Sequence, residues 1–150
     1  EEGTDSPVGV EDYFNIGGAA LMEDGGSRTR WLQRQMIPML QRRGLGLLAF
    51  SPMDRGDLAP EKTPDPGSSL AKLCTQIDAV AAEMNVGRAE ICVAWMVHQE
   101  GVTSVLGGAE SEEHVDEMVR GTTLNVPPDL LARLMQARDT YADAMEAGQS

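Results

Sequence analysis

The sequence contains few cysteines and no long apolar run, features that characterise several large classes of protein. It contains only two cysteines, Cys74 and Cys92, which are too few for a disulfide scaffold and lack the spacing of metal ligands. Both lie among helical apolar residues, so we interpret them as small core side chains. The longest apolar runs, at residues 45–50 and 91–97, are far shorter than the roughly 20 residues that cross a bilayer. We therefore expect no membrane span and no signal peptide, and we predict a cytoplasmic protein.

Positive charge and aromatic side chains are also scarce. Lys and Arg number 12 against 24 Asp and Glu, which gives a formal net charge of −12 at pH 7. A phosphate-binding face needs concentrated Lys and Arg, so this composition argues against nucleic acid and against an anionic membrane as partners. Aromatic residues make up 4% and hydrophobic residues 41% of the 150 positions. That balance suits one folded domain whose core relies on Met, Ala and aliphatic side chains.

Short apolar runs alternate with stretches of helical periodicity along the chain. The short runs predict β-strands at residues 10–16, 45–50 and 102–106. The helical periodicity predicts α-helices at about residues 29–43, 70–84, 88–99 and 111–120, and from the Pro127–Pro128 pair onward. Residues 1–9, EEGTDSPVG, are polar and contain Gly and Pro, which predicts a flexible N-terminal segment. Residues 10–150 are then expected to form a single unit.

Two residues carry local predictions for the helices. Pro38 lies inside a helical pattern, where it either begins the main helix at its first turn or kinks a longer one. Gly121 follows the acidic segment SEEHVDEMVR, and we expect it to end that helix, which Ser111 would cap.

Strands that alternate with helices indicate an α/β fold with a parallel sheet. The runs LGLLAF (45–50) and VTSVL (102–106) are apolar at successive positions, which predicts strands buried on both faces. Three parallel strands cannot close a barrel, however, and they leave two open sheet edges. The sequence therefore predicts part of a larger sheet.

Three segments resemble the aldo-keto reductase family. IPMLQRRGLGLLAFSPMDRG (37–56) resembles the segment around that family's seventh strand, which ends in an aromatic-Ser-Pro-Leu-x-x-Gly pattern. Residues 81–118 resemble its helix–strand–"Gly-Ala-Arg" loop–helix region, and VEDYFNI (10–16) resembles its preceding "Gln-x-x-Tyr-Asn" strand. The resemblance keeps the same order over about residues 10–140. It implies the C-terminal half of a (β/α)₈ barrel, with about three parallel strands and flanking helices.

The resemblance implies a site for NADP or NAD made from two segments. Phe50 would stack on the nicotinamide ring, and a loop would follow the pyrophosphate through Ser51, Pro52, Met53, Arg55 and Gly56. The adenosine end would lie along Gly108, Glu110, Ser111, His114 and Met118. The alternative is an ordinary turn after a buried strand, with Phe50 as a core residue.

Four positions depart from the family's pattern at this site. Glu110, His114 and Met118 stand where the family commonly has a basic residue, a Gln or Arg, and an Asn. Glu11 stands where a Gln usually holds the nicotinamide carboxamide. A carboxylate repels a phosphate and Met cannot donate a hydrogen bond, so weak or lost coenzyme binding is an open alternative.

The family's catalytic Asp, Tyr, Lys and His belong to the first half of its barrel. No motif in this sequence matches them, and no catalytic or metal-ligating residue is predicted. The resemblance therefore implies the NAD(P)-binding side of an oxidoreductase that is inactive alone. The alternative function is a non-catalytic interaction or scaffold module derived from the same fold.

An incomplete barrel also predicts a partner. We expect a homodimer or a second chain that supplies the missing half-barrel, because open sheet edges and an uncovered inner face invite further strands. The alternative is a monomer whose last helix folds over the open sheet through Leu130, Leu131, Leu134 and Met135.

Overall fold

The computed structural model describes residues 10–18 and 21–148, so the predicted flexible segment at residues 1–9 lies outside the described residues. Strands and helices alternate along the chain. In order, the elements are β1 (Val10–Tyr13), α1 (Arg28–Trp31), a π-helical turn (Leu32–Met36), α2 (Ile37–Arg42), β2 (Leu47–Phe50), a 3₁₀ turn (Asp54–Gly56), α3 (Ser69–Met84), α4 (Arg88–Val97), β3 (Val102–Leu106), α5 (Glu112–Thr123) and α6 (Pro128–Glu146). The three strands pair in parallel in the order β1-β2-β3. This confirms the predicted α/β class, with three parallel strands and flanking helices.

The two faces of the sheet are covered to different extents. Leu47 and Ala49 of β2 are fully buried in one apolar cluster with residues of the helices. On the opposite face, Phe50 of β2 pairs with Leu106 of β3, and these side chains are 37% and 40% exposed. We call this second face the open face. By strand register it comprises Glu11, Tyr13, Leu48, Phe50, Ser104 and Leu106.

The prediction of strands buried on both faces is wrong for the open face. Leu48 is only half-buried, and Ser104 is exposed. The strand runs are apolar at successive positions, yet β1 and β3 lie at the two edges of the sheet and only one face carries helices. The sequence pattern therefore anticipates a cover that the described residues do not provide.

The first strand is shorter than predicted. Residues 10–16 were expected to be extended, but the strand ends at Tyr13. The next residues leave the sheet because Asn15, which is fully buried, uses its side chain to bond the following turn. Phe14 instead packs against Trp95 of α4, with ring centroids 5.5 Å apart.

Pro38 lies in the first turn of α2, as the first of its two predicted placements required, although the residues before α2 are also helical. The chain is helical from Arg28 to Arg42, with a π-helical turn immediately before α2. In this turn the N–H of Ile37 bonds the carbonyl of Leu32, five residues back. Such a turn shifts the hydrogen-bond partners by one residue just before Pro38, which has no N–H to donate.

Helices α3 and α4 form the centre of the core. Ser68 caps α3 by accepting a hydrogen bond from the Ala71 N–H at 3.1 Å. Eight of the ten residues of α4 are buried, from Ala89 to Met96. Helix α4 is therefore apolar nearly all round, as an enclosed helix must be.

Gly121 does not end α5, which continues to Thr123, so this prediction is wrong. The glycine is buried where α5 crosses α4. A Cβ at this position would lie 2.8 Å from the Cβ of Val93 and 2.9 Å from the Glu90 carbonyl oxygen. The residue therefore permits close helix packing rather than terminating the helix.

The last helix packs along α3 and does not cover the open face. Leu130 and Leu134 are buried, and the ends of α6 are tied by ion pairs. One of these joins Arg133 to Glu83 of α3, and another joins Arg30 to Asp143 at 2.7 Å. Across residues 10–18 and 21–148, no helix combines the length and hydropathy needed to span a membrane.

Candidate functional site

A pocket of about 230 Å³ opens at the carboxyl ends of β2 and β3. One wall is the loop after β2, and the other is the first half of α5. In open α/β sheets, the crevice beyond the carboxyl ends of the strands is where ligands bind. Its lining consists of Ser51, Pro52, Met53, Arg55, Gly56, Ala59, Pro60, Glu61, Ala89, Gly108, His114, Glu117 and Met118.

Eight of the eleven residues expected at the coenzyme site line this pocket. They are Ser51, Pro52, Met53, Arg55, Gly56, Gly108, His114 and Met118. Of the other three, Phe50 lies on the open face at the end of β2. Glu110 and Ser111 lie immediately before α5 and are exposed. Two segments more than fifty residues apart in sequence are thus brought together.

The loop after β2 has an unusual backbone. Ser51, Asp54 and Arg55 have φ angles of 66°, 51° and 57°, in the left-handed region that residues other than glycine rarely adopt. Such conformations cost energy and persist where neighbouring contacts determine them. The loop therefore has a defined shape that its own sequence does not favour.

Asn15 makes several of the contacts that hold the loop after β2 in this conformation. Its Nδ2 donates to the Ser51 carbonyl at 2.9 Å and to Asp54 Oδ1 at 3.4 Å. Its Oδ1 accepts from the Gly18 N–H at 2.6 Å. Asp54 also packs closely on Gly17, where a Cβ would lie 2.4 Å from Asp54 Oδ2. This buried amide links the end of β1 to the loop after β2.

Sequence reasoning did not single out Asn15 as a site residue. The available signal was an Asn at the end of an apolar strand, two residues before a Gly-Gly pair. That pattern predicts a turn, but the partner of the side chain lies 36 residues away.

Arg55 places a positive charge at the strand ends. Its guanidinium lies 5.0 Å from the ring centroid of Tyr13, within the range of a cation–π contact. The Tyr13 ring in turn meets Phe50 edge-on, with centroids 5.9 Å apart. Arg55, at the β1 side of the pocket, is the fixed cation among the described lining residues.

The α5 wall is organised by its N-cap. Ser111 Oγ accepts from the His114 N–H at 3.2 Å, and His114 Nδ1 accepts from the Glu110 N–H at 3.4 Å. Met118 packs beneath the strand-end glycines, because a Cβ at Gly107 would lie 2.4 Å from its sulfur. The side chain therefore fills the joint between α5 and the end of β3.

Glu90 fixes α5 against α4. Its carboxylate accepts from the Gly87 N–H at 2.6 Å and from Arg120 Nε. Burial by itself raises the pKa of Glu90, but hydrogen bonds from Arg120 and Gly87, together with the charge of Arg120, outweigh burial and lower that pKa. The ion pair thus positions the helix whose first turns form the pocket wall.

A second cavity, of about 700 Å³, lies between α3 and α6. It is the larger of the two, but it is lined by residues of these two helices alone and contains none of the predicted site residues. We therefore take the smaller pocket as the candidate site.

The cysteines do not contribute to a reactive or metal centre. Cys74 and Cys92 are both buried, and burial raises the pKa of each thiol. Within the described ranges, no group of three or more His, Cys, Asp or Glu side chains could hold a metal ion. Both cysteines therefore serve as core side chains, as the sequence predicts.

The sequence and the fold of this chain are both similar to those of known proteins. The sequence model of the aldo/keto reductase family matches residues 28–139. Among solved structures, the chain is similar to the thermostable aldo-keto reductase Tm1743, solved with the inhibitor epalrestat, at 18% identity and a TM-score of 0.62. It is also similar to the glycerol dehydrogenase AKR11B4 from Gluconobacter oxydans, at 15% identity and a TM-score of 0.57.

The matched structures are much longer than the matched region. The first comparison covers 85% of this chain but 38% of Tm1743, and the second covers 75% of this chain and 38% of AKR11B4. Three parallel strands with flanking helices therefore correspond to part of a (β/α)₈ barrel, which confirms the predicted fold.

Proposed function

Because the chain belongs to the aldo/keto reductase family, we propose that it forms the NAD(P)-binding part of a reductase barrel. The observation that carries the proposal is the pocket at the ends of β2 and β3. It gathers eight residues, from two distant segments, that the family resemblance assigns to the coenzyme. A bound nicotinamide coenzyme supplies hydride to a carbonyl carbon.

The residues present suit such a coenzyme. Phe50 exposes an aromatic ring on the open face, next to the strand ends where the pocket begins. Arg55 offers a guanidinium near a pyrophosphate path, and Gly56 allows the backbone to approach closely. The pocket, at about 230 Å³, is smaller than a complete small-molecule site. It therefore holds one nucleoside half, while the nicotinamide half lies on the ring of Phe50.

The proton for a reduced carbonyl must come from elsewhere. Near Phe50, Tyr13 has its ring between Phe50 and Arg55, and His114 is turned back onto the Glu110 N–H. The family resemblance assigns the acid–base residues to the first half of the barrel. We infer that this chain binds and orients the coenzyme and that its activity depends on the missing strands.

The open face is the surface that those strands would cover. It exposes Phe50 and Leu106, and β1 and β3 each leave one edge unpaired within the described sheet. The solved relatives are more than twice as long as the region they share with this chain. We propose that the occupant is the remaining strand–helix units of the same barrel, carried on this polypeptide or on a second one.

The coenzyme proposal is tested by calorimetric titration with NADH and NADPH. Phe50→Ala should weaken binding about fivefold, since stacking on an aromatic ring contributes about 1 kcal/mol beyond burial. Leu106→Ala is the matched control, because Leu106 is the exposed apolar residue paired with Phe50 across the same face. It should change the dissociation constant less than threefold. Equal effects of the two variants, or no binding of either coenzyme, would contradict the proposal.

The assembly proposal is tested by light scattering and hydrophobic-dye binding. A bare chain of 16.1 kDa should bind the dye through its open face, or should form a complex that hides it. Adding the family's N-terminal half-barrel should abolish dye binding. A folded 16.1 kDa monomer that binds no dye would contradict the proposal, and a doubled mass would identify a second copy as the occupant.

One observation favours a non-catalytic scaffold instead. Glu110 and Met118 stand where the resemblance places coenzyme contacts, and Met118 is packed against Gly107. A scaffold would assemble with its partner and bind neither coenzyme. The same titration, repeated on the assembled complex, separates the two functions.

A further inference from the structure

The α3–α6 cavity has the dimensions of a small-molecule site. Its volume is about 700 Å³, and pockets for small molecules measure about 300–1,000 Å³. Ala137 and Ala144 of α6 contribute only methyl groups to its wall, which leaves room between the two helices. None of its lining residues lines the proposed coenzyme pocket. A ligand bound here would therefore be separate from the coenzyme.

Tyr141 brings a buried hydroxyl group to this cavity. The residue is only 5% exposed, it lines the cavity, and its hydroxyl group makes no hydrogen bond with a described residue. The polar atoms that are both fully enclosed and unpartnered do not include this oxygen, so it is still in contact with the exterior. A buried hydroxyl group without a partner costs free energy, which a ligand that accepts its hydrogen bond would recover.

The Tyr141 hydroxyl group is a hydrogen-bond donor at neutral pH. Burial and the charges of Asp54 and Asp57 raise the pKa of Tyr141 to about 12, so the proton stays on the oxygen. Each of these carboxylates has a partner of its own. Asp57 pairs with Lys62, and Asp54 accepts a hydrogen bond from Asn15. The hydroxyl group is therefore available to an acceptor on a ligand.

Lys72 lines the same cavity and forms no ion pair with a described residue. The other two charged lining residues are both paired. Arg133 lies 2.6 Å from Glu83. Asp143 lies 2.7 Å from Arg30. Within the described part of the chain, the cavity wall thus carries one uncompensated positive charge, although the whole chain has a net charge of −12.

Apolar surface accompanies these two polar groups. Leu73, which is 2% exposed, lines the cavity together with the Tyr141 ring and the two alanines. A single uncompensated lysine and a single hydroxyl donor match one carboxylate, whereas a phosphate dianion is usually bound by several cations or backbone N–H groups. The lining therefore suits an apolar molecule that carries one carboxylate.

From these observations we propose that the α3–α6 cavity is a second ligand site, which binds an organic monocarboxylate with an apolar body. The carboxylate accepts a hydrogen bond from the Tyr141 hydroxyl group and pairs with Lys72. The apolar body packs against Leu73 and Ala137. This site goes beyond the proposed coenzyme function and does not depend on it.

Two aromatic probes of similar shape test the ligand class by calorimetric titration into the chain. 2-Naphthoate carries the carboxylate, and 2-naphthamide has an uncharged amide in its place. The unsubstituted protein should bind 2-naphthoate about fivefold more tightly, as expected for one charge pair at a partly exposed site. Lys72→Gln should bring the two affinities within about twofold of each other. Arg42→Gln is the matched control, because it removes a positive charge at an exposed position outside the cavity, and it should leave the preference unchanged.

A cavity-filling variant locates the bound probe. The apolar open face could also take an aromatic molecule, so affinity alone does not identify the cavity. Ala137→Leu extends a side chain into the cavity and should weaken the binding of both probes about tenfold or more. Ala132→Leu is the matched control, because Ala132 is exposed on the same helix and does not line the cavity. It should leave both dissociation constants unchanged.

Tyr141→Phe removes the hydroxyl group and keeps the ring. It should weaken 2-naphthoate binding about tenfold, the scale of a hydrogen bond to a charged group. Without ligand, this variant should keep the urea midpoint of the unsubstituted protein, because no described residue loses a hydrogen bond. A clear loss of stability would show that the hydroxyl group already has a partner in the protein, and it would overturn the role of Tyr141 as a donor to the ligand.

The outcomes separate this inference from the coenzyme proposal. Equal affinity for the two probes, or no binding of 2-naphthoate at millimolar concentration, refutes the carboxylate site whatever NADH and NADPH do. Binding that survives in a folded Ala137→Leu variant places the probe elsewhere and refutes the site as well. If Ala137→Leu does not fold, Tyr141→Phe decides, and an unchanged affinity for 2-naphthoate refutes the site. A preference that Lys72→Gln removes and Arg42→Gln keeps supports it.

Discussion

Replacing Glu90 by Gln should destabilise the protein by about 2 kcal/mol, the scale for losing a hydrogen bond to a charged group. The Glu90 carboxylate is 7% exposed, and it serves two donors, the Gly87 N–H and the Arg120 guanidinium. Gln retains one acceptor oxygen and turns an NH₂ group towards the other donor. One hydrogen bond is therefore lost, and a donor is left facing a donor at the joint between α4 and α5.

Glu83→Gln is the matched control. Glu83 also pairs with an arginine, Arg133, but both side chains are about half exposed. An exposed pair contributes about 0.5 kcal/mol, so this variant should lie close to the unsubstituted protein. The measurement is urea unfolding at neutral pH, followed by far-UV circular dichroism. If Glu90→Gln costs no more than Glu83→Gln, the assignment of Glu90 as the residue that fixes α5 is refuted.

The pH dependence of stability provides an independent check, because the pKa of Glu90 sets the direction of the change. The pKa of Glu90 is lowered from 4.5 in the folded protein, so its contribution is fully present above about pH 4.5. The contribution is lost as the pH falls through the lowered, folded-state pKa. The stability difference between the unsubstituted protein and Glu90→Gln should therefore shrink below about pH 4.5. A difference that grows on acidification would contradict this account.

Three further predictions concern the core and the loop. Asn15→Ala should cost about 2 kcal/mol in urea unfolding, because it leaves the buried Gly18 N–H without its acceptor, and an unchanged midpoint would contradict its role. Gly121→Val should also cost about 2 kcal/mol by overpacking against Val93, whereas Gly108→Ala, where a Cβ meets nothing within 4 Å, should be neutral in the same assay. The thiol of Cys92, whose pKa is raised by burial, should react with Ellman's reagent only after unfolding, and rapid reaction of the native protein would show that it is accessible.

Features determined by neighbouring residues could be predicted from the sequence. The cap at Ser111 is an example, because its hydroxyl accepts a hydrogen bond from the N–H three residues further along. The order of strands and helices followed from periodicity in the same way. These contacts need no knowledge of the rest of the fold.

Features that depend on residues distant in the sequence could not be predicted from the sequence. Gly121 has the sequence context of a residue that ends a helix. Glycine is required there for another reason, because Val93 on α4 leaves no room for a side chain. The left-handed backbone of Ser51 and Arg55 follows from contacts with Asn15 and the end of β1, against local preference. Eight of the predicted site residues nevertheless line one pocket, and their contact with a coenzyme stays a prediction.

The exposure of the open face could not be predicted from the sequence for a different reason. Phe50 and Leu106 belong to runs whose pattern predicts burial, yet these side chains are 37% and 40% exposed in the described three-stranded sheet. Sequence composition records the environment in which a strand is normally packed. A part of a barrel therefore carries the pattern of the whole.

The central claim is that the dinucleotide binds at the ends of β2 and β3, and hydrogen–deuterium exchange with and without NADH tests it most directly. We predict slower exchange on NADH binding in the peptides that cover residues 51–56 and 108–118. Peptides from the α3–α6 cavity, around Lys72 and Gln136, should not change. Protection confined to that cavity, or no protection anywhere at saturating NADH, would contradict the account.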